Sequence, residues 1–101
     1  MIPRLTKENF DAVIRSGDNL ILFFYKEEDP TSYIVMSSLN ELDQLHGKNF
    51  EIYIIPIDQE PEIASACSIS DIPELITVKQ TKIYRRANGI LKCNEILNLL
   101  K

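Results

Sequence analysis

Phe10, Val13 and Ile14 recur three and four residues apart behind Thr6, a spacing that predicts a helix over residues 7–14. Thr6 is placed to cap its start and Gly17 to end it. Leu20-Ile21-Leu22-Phe23-Phe24-Tyr25 follows as an unbroken apolar run. A strand with one wet face alternates, so an unbroken run predicts a strand covered on both faces. After the polar break Lys26-Glu27-Glu28, Asp29 reads as an N-cap and Pro30 as the first residue of a long helix. Val35, Leu39, Leu42 and Leu45 give that helix its apolar stripe, and His46-Gly47 closes it.

A second covered strand is predicted at residues 50–57, and a short helix from Pro61 to Cys67. Asp71-Ile72-Pro73 turns the chain into a strand from Glu74 to Lys79. Gln80-Thr81 then makes a tight connection to Lys82-Ile83-Tyr84-Arg85, which implies a β-hairpin. Residues 90–100 form a final amphipathic helix carrying Ile96, Leu97 and Leu100. The expected architecture is a single α/β domain of order β-α-β-α-β-α-β-β-α. Parallel crossovers plus one terminal hairpin require a mixed central sheet with helices on both faces.

Composition narrows the function more than the fold. The 101 residues suit one domain, and 45% hydrophobic content supports a core. A net charge of -4 gives no general attraction to phosphate backbones or anionic membranes, so neither nucleic acid nor membrane is an expected partner. Only two cysteines occur, Cys67 and Cys93, outside any metal-ligand spacing, and no cofactor site is read. The residues Met1 to Thr6 show no apolar leader, and unpaired thiols suit a reducing compartment, so a cytoplasmic protein is expected.

Several segments, in order and at the right separations, resemble thioredoxin along nearly the whole chain. Leu5-Thr6-Lys7-Glu8-Asn9-Phe10-Asp11 resembles that family's L-T-x-x-N-F-D opening, and Phe24-Tyr25-Lys26-Glu27 stands at its F-W-A-x. Ile57-Asp58-Gln59-Glu60-Pro61-Glu62-Ile63-Ala64 is similar to V-D-x-N-P-x-L-A. Ile69-Ser70-Asp71-Ile72-Pro73 is similar to I-x-x-I-P, whose proline is cis in the family, and Gly89 matches the glycine before the last helix. The resemblance implies a thioredoxin fold.

It also implies an altered active site. Where thioredoxins carry W-C-G-P-C, this chain reads Glu28-Asp29-Pro30-Thr31-Ser32. Dithiol exchange needs a low-pKa thiolate at a helix start and a second thiol to resolve the mixed disulfide. Neither Asp29 nor Ser32 supplies one. Phe23 stands where the family has a buried aspartate that handles the resolving thiol's proton, and Ile54 where it has the partnering lysine. The expected protein is therefore a redox-inactive module that binds a protein or an extended peptide. The family's peptide surface maps onto Pro30, Thr31, Asp71, Ile72, Pro73, Asn88 and Gly89.

Other chemistries compete with this expectation. Ser32 beside Asp29 is a conceivable nucleophile, but the lone histidine, His46, lies a helix length away. A glutathione-linked activity, with Ser32 or Thr31 donating to a thiolate, has to place that anion beside Glu28 and Asp29. Single-thiol chemistry on Cys67 is a third option, set against the small buried apolar residue that free cysteine usually is. Cys93 opens the last helix, where its pKa is expected to fall. Glu27-Glu28-Asp29 reads as a solvated turn and not a cation loop, and His46 as a helix-dipole partner. An alternative docking surface is the edge strand from Lys82 to Arg86.

Overall fold

A computed structural model describes residues 2–16, 19–46 and 49–101. The elements run α1 (Phe10–Ser16), β1 (Asn19–Tyr25), α2 (Pro30–His46), β2 (Glu51–Pro56), α3 (Pro61–Ala66), β3 (Glu74–Lys79), β4 (Lys82–Asn88) and α4 (Cys93–Asn98). The strands form one mixed sheet in the order β2-β1-β3-β4. β1 pairs parallel with β2 and antiparallel with β3, and β3 pairs antiparallel with β4. The leading strand of the expected order survives only as a bridge between Arg4 and Ile54. Leu5 N–H donates to Ile54 O and Ile54 N–H to Pro3 O, each at 3.0 Å, so this segment borders β2.

β1 is covered on both faces, as its unbroken apolar run requires. Ile21, Phe23 and Tyr25 pack with Val35, Leu39 and Leu42 of α2 and Ile96 of α4. Leu20, Leu22 and Phe24 point the other way, into a cluster with Ile63 of α3, Ile76, Val78 and Cys67. The period of two along the strand thus divides one apolar run between two cores.

Three expectations change at the helices. α1 begins at Phe10, because Thr6 to Asn9 forms a preceding turn in which Asn9 Oδ1 accepts the Thr6 N–H at 2.7 Å. In α2 the inner face is Ser32, Val35, Leu39 and Leu42, while Leu45 is 68% exposed. Leu45 lies roughly 90° around the helix from the centre of that stripe, at 100° per residue. α4 spans only Cys93–Asn98, with Lys92 N–H donating to Glu95 Oε1 at 3.0 Å across its first turn. The expected stops at Gly17 and Gly47 lie outside the described residues.

Side chains of the β3–β4 hairpin satisfy the carbonyls from the last residue of α4 onward. Arg85 Nη1 donates to Asn98 O at 3.2 Å, Thr77 Oγ1 to Leu99 O at 3.2 Å and Tyr84 Oη to Lys101 O at 2.7 Å. Lys79 Nζ donates to Leu100 O and also lies 4.2 Å from the centre of the Tyr84 ring.

The hairpin itself turns on Gln80 and Thr81, with φ of 50° and 69°. Both are left-handed, the shape that Asn-Gly adopts most easily and that β-branched threonine resists. Replacing Gln80-Thr81 by Asn-Gly is expected to raise the unfolding free energy by about 1 kcal/mol in urea titrations. An unchanged midpoint would show that the turn is not strained.

Candidate functional site at the start of the long helix

β1 delivers the chain to one end of the sheet at Tyr25, and Asp29 N–H closes a turn onto Lys26 O at 3.2 Å. The Asp29 carboxylate then caps α2. Thr31 Oγ1 donates to Asp29 Oδ2 at 2.6 Å and Ser32 Oγ to the same oxygen at 3.0 Å. The Thr31 N–H reaches Oδ1 at 3.4 Å, and Ser32 N–H donates to Asp29 O at 3.1 Å. Pro30 is the exposed first residue of the helix, Thr31 is half-buried, and Ser32 is only 1% exposed. The Ser32 hydroxyl thus faces inward with its proton engaged by the cap.

This network holds the Asp29 carboxyl below its ordinary value of 3.8. The Thr31 hydroxyl contributes most; desolvation opposes it, and the Ser32 hydroxyl and both backbone N–H groups add to it. A depressed folded-state pKa means that the cap's contribution is complete above the unfolded carboxylate's pKa and is lost as pH falls through the folded one. Asp29→Ala is therefore expected to lower the melting midpoint by a few degrees at about pH 7, with the gap narrowing as pH falls through the depressed folded-state value. A gap independent of pH would mean that the carboxylate's charge plays no part in the cap.

The Phe24–Glu74 pairing brings the turn before β3 to the same end of the sheet. There the Ile72–Pro73 peptide bond is cis. Gly89 N–H donates to Pro73 O at 3.0 Å and Asn88 Nδ2 to Asp71 O at 3.3 Å, tying the segment before α4 to this turn. Asp71 is exposed, Ile72 and Gly89 are half-buried and Pro73 is buried. At Gly89 φ is +89°, a backbone state that L side chains rarely adopt. The structure thus joins Asp71, Ile72, Pro73, Asn88 and Gly89 directly, and sets Pro30 and Thr31 at the same end of the sheet.

A cleft of about 490 Å³ opens beside the helix start, between the 26–30 loop and Pro56, Asp58 and Gln59. Its acidic residues do not act as a single cluster. Glu27 Oε1 accepts Arg4 Nη2 at 3.3 Å and Gln59 Nε2 at 2.8 Å, while Asp29 is occupied by the cap. Among the described residues, no group of three or more histidine, cysteine, aspartate or glutamate side chains could hold a metal ion.

The two cysteines lie on opposite faces of the sheet and are both free. Burial pushes the Cys67 thiol up, with Arg86 opposing and Glu74 reinforcing the rise. The expected fall at Cys93 is reversed. Burial first, and then the Glu41 carboxylate that accepts its thiol at 3.2 Å, raise its pKa. A helix of six residues offers little field against those two effects.

Sequence reasoning missed a charged pair beneath the cis-proline turn. Glu74 is 3% exposed, with Oε1 accepting Asn88 Nδ2 at 3.3 Å and Oε2 lying 3.2 Å from Arg86 Nη1. Arg86 also donates through Nη2 to Cys67 O at 2.8 Å, locking β4 to the end of α3. The signal was available: an acid at the head of the buried strand Glu74-Leu75-Ile76-Thr77-Val78 needs a partner.

The thioredoxin family model matches residues 1–101. This chain belongs to the thioredoxin family. Its sequence is 18% identical over 103 residues to thioredoxin 2 of Plasmodium falciparum (isolate 3D7), covering 99% of this chain and 66% of that relative. The chain therefore spans about two thirds of that protein's length. The fold is similar to oxidised mitochondrial thioredoxin 3 from Saccharomyces cerevisiae, with a TM-score of 0.89 at 20% identity over 98% of this chain and 92% of that one. Chloroplastic thioredoxin z superposes with a TM-score of 0.86 at 14% identity, covering 98% and 90%. At these identities the structural matches establish a thioredoxin fold, a mixed four-stranded sheet flanked by helices.

Proposed function

We propose that this thioredoxin-family domain is a redox-inactive binding module that holds an extended polypeptide on Pro30, Thr31, Asp71, Ile72, Pro73 and Gly89. The observation that carries the reading is the capped helix start. Asp29 and Ser32 occupy the positions that resemble the family's two cysteines, and their side chains bond each other at 3.0 Å. An engaged carboxylate and an inward hydroxyl provide neither an attacking nor a resolving thiol. A glutathione-linked reaction is disfavoured for the same reason, since Ser32 has no free hydroxyl to offer a bound thiolate.

A second reading, thiol–disulfide chemistry on Cys67, draws support from the relatives named thioredoxin and from the nearby Arg86 charge. Burial outweighs that charge at the thiol. The two readings separate in one assay: reduction of a protein disulfide by a small thiol, with and without thioredoxin reductase. No turnover above buffer is expected. Turnover that disappears in Cys67→Ser would overturn the binding reading.

Binding has its own test. Ile72 is the half-buried apolar side chain next to Pro73, suited to anchor a partner's side chain at a desolvated centre. With a purified partner, Ile72→Ala is expected to weaken binding by about 1–2 kcal/mol. Gln44→Lys, on an exposed position about 20 Å along α2 from Pro30, is expected to change little. Equal weakening by both would move the binding surface elsewhere.

A further inference from the structure

The formal charge of this chain is strongly divided along the sequence. Residues 75–94 hold five basic side chains, Lys79, Lys82, Arg85, Arg86 and Lys92, and no acidic one. All 15 acidic residues and the other six of the 11 basic ones lie outside that segment. The basic segment is the β3–β4 hairpin after its first residue, Glu74, together with the exit of β4. β4 ends the sheet, so its outer edge pairs with no other described strand. Six of the seven β4 residues are exposed. A net acidic protein therefore presents one open strand edge of the opposite charge.

The side chains on that edge differ in availability. Arg86 is paired with Glu74, and Arg85 stacks 4.9 Å from the Tyr84 ring centre while donating to Asn98 O. The Lys82 side chain makes no hydrogen bond or ion pair among the described residues. Ile83 sits between these charges at 48% exposure, on the face of its partner Val78. Charges and the irregularity opposite Thr77/Val78 blunt an edge against promiscuous pairing. Neither device leaves an apolar side chain uncovered, and neither requires acidic residues to be absent from all of residues 75–94.

We propose that the outer edge of β4 accepts an acidic, extended polypeptide segment as a fifth strand. Backbone groups of β4 that face away from β3 supply the ladder, as in strand addition generally. Lys82 and Arg85 meet the partner's carboxylates, and Ile83 is covered by an apolar side chain on the next position of the added strand. A second copy of this chain is a poor occupant, because edge-to-edge pairing would set Lys82, Arg85 and Arg86 against their own copies. This surface meets the one around Ile72 only at Asn88, the last residue of β4.

The probe is an end-blocked eight-residue peptide alternating valine and glutamate, added to the intact protein at low salt. Binding is expected to slow amide exchange in β4 while leaving the Ile72 turn unprotected. Lys82→Glu is expected to weaken affinity about tenfold without affecting the fold, and added salt to weaken the unmodified protein's binding. Substituting proline for a central valine of the peptide, which removes a ladder donor, is expected to abolish protection. Absence of binding, or protection mapping outside β4, would overturn the proposal. So would equal binding of the proline peptide, tighter binding of an oligouridylate on the same residues, or a β4-linked dimer that excludes the peptide.

Discussion

Asp29→Cys combined with Ser32→Cys is expected to yield a protein that forms a disulfide across the start of α2 yet reduces substrates about 10²–10⁴-fold more slowly than an ordinary thioredoxin. That range is the usual value of a positioned proton donor or acceptor. The restored sulfurs would stand on a sheet with nothing to take the resolving thiol's proton. Phe23 is fully buried and stacks on Tyr25 with ring centres 5.6 Å apart, and Ile54 is its register partner on β2. The cysteine at position 32 would inherit a site that is 1% exposed, where burial disfavours the thiolate. Single-turnover reduction of a protein disulfide by the reduced double variant measures the effect. A rate equal to that of an ordinary thioredoxin would show that Phe23 and Ile54 do not limit the chemistry.

The largest expected stability effect lies in the buried pair below the cis-proline turn. Arg86→Met leaves the Glu74 carboxylate 3% exposed without its charged partner, and is expected to cost about 2–3 kcal/mol in urea unfolding at neutral pH. The value is set below that of a fully enclosed pair because the Arg86 side chain is 38% exposed and water still screens it. Converting both partners, Glu74→Leu with Arg86→Met, is expected to recover most of the loss, since no charge is then stranded. A cost below about 0.5 kcal/mol for Arg86→Met would show that solvent reaches Glu74 when the arginine is gone.

Much of this fold was legible because its strands are unambiguous. An apolar run as short as Leu20 to Tyr25, ended by the polar Lys26-Glu27-Glu28, reads as a strand covered twice, and Asp29-Pro30 marks a helix start by side-chain chemistry alone. Helix limits were less legible. The stripe in α2 was carried one step too far, to Leu45, because a leucine three residues past Leu42 fits the eye better than it fits 3.6 residues per turn. Nor does a serine so near a helix start announce that its cap bond to Asp29 lets a hydroxyl occupy the inner face. Partners between distant segments were less legible still. The Arg4–Glu27–Gln59 contacts depend on segments that no local spacing brings together. For Glu74 the hairpin and the need for a partner were readable, but the choice of Arg86 depends on a register shifted at Thr77/Val78.

The side chains that hold the carbonyls of residues 98–101 all come from β3 and β4. The hairpin and the terminal helix are therefore expected to open together, because peeling β4 away strips Tyr84 and Arg85 from the Lys101 and Asn98 carbonyls. Whatever tightens β4 also lowers the fraying of the carboxyl-terminal turn on the other side of Thr77. In this way the outermost strand acts as the thermodynamic clasp of a helix from which it is separated in the chain by the Gly89 turn.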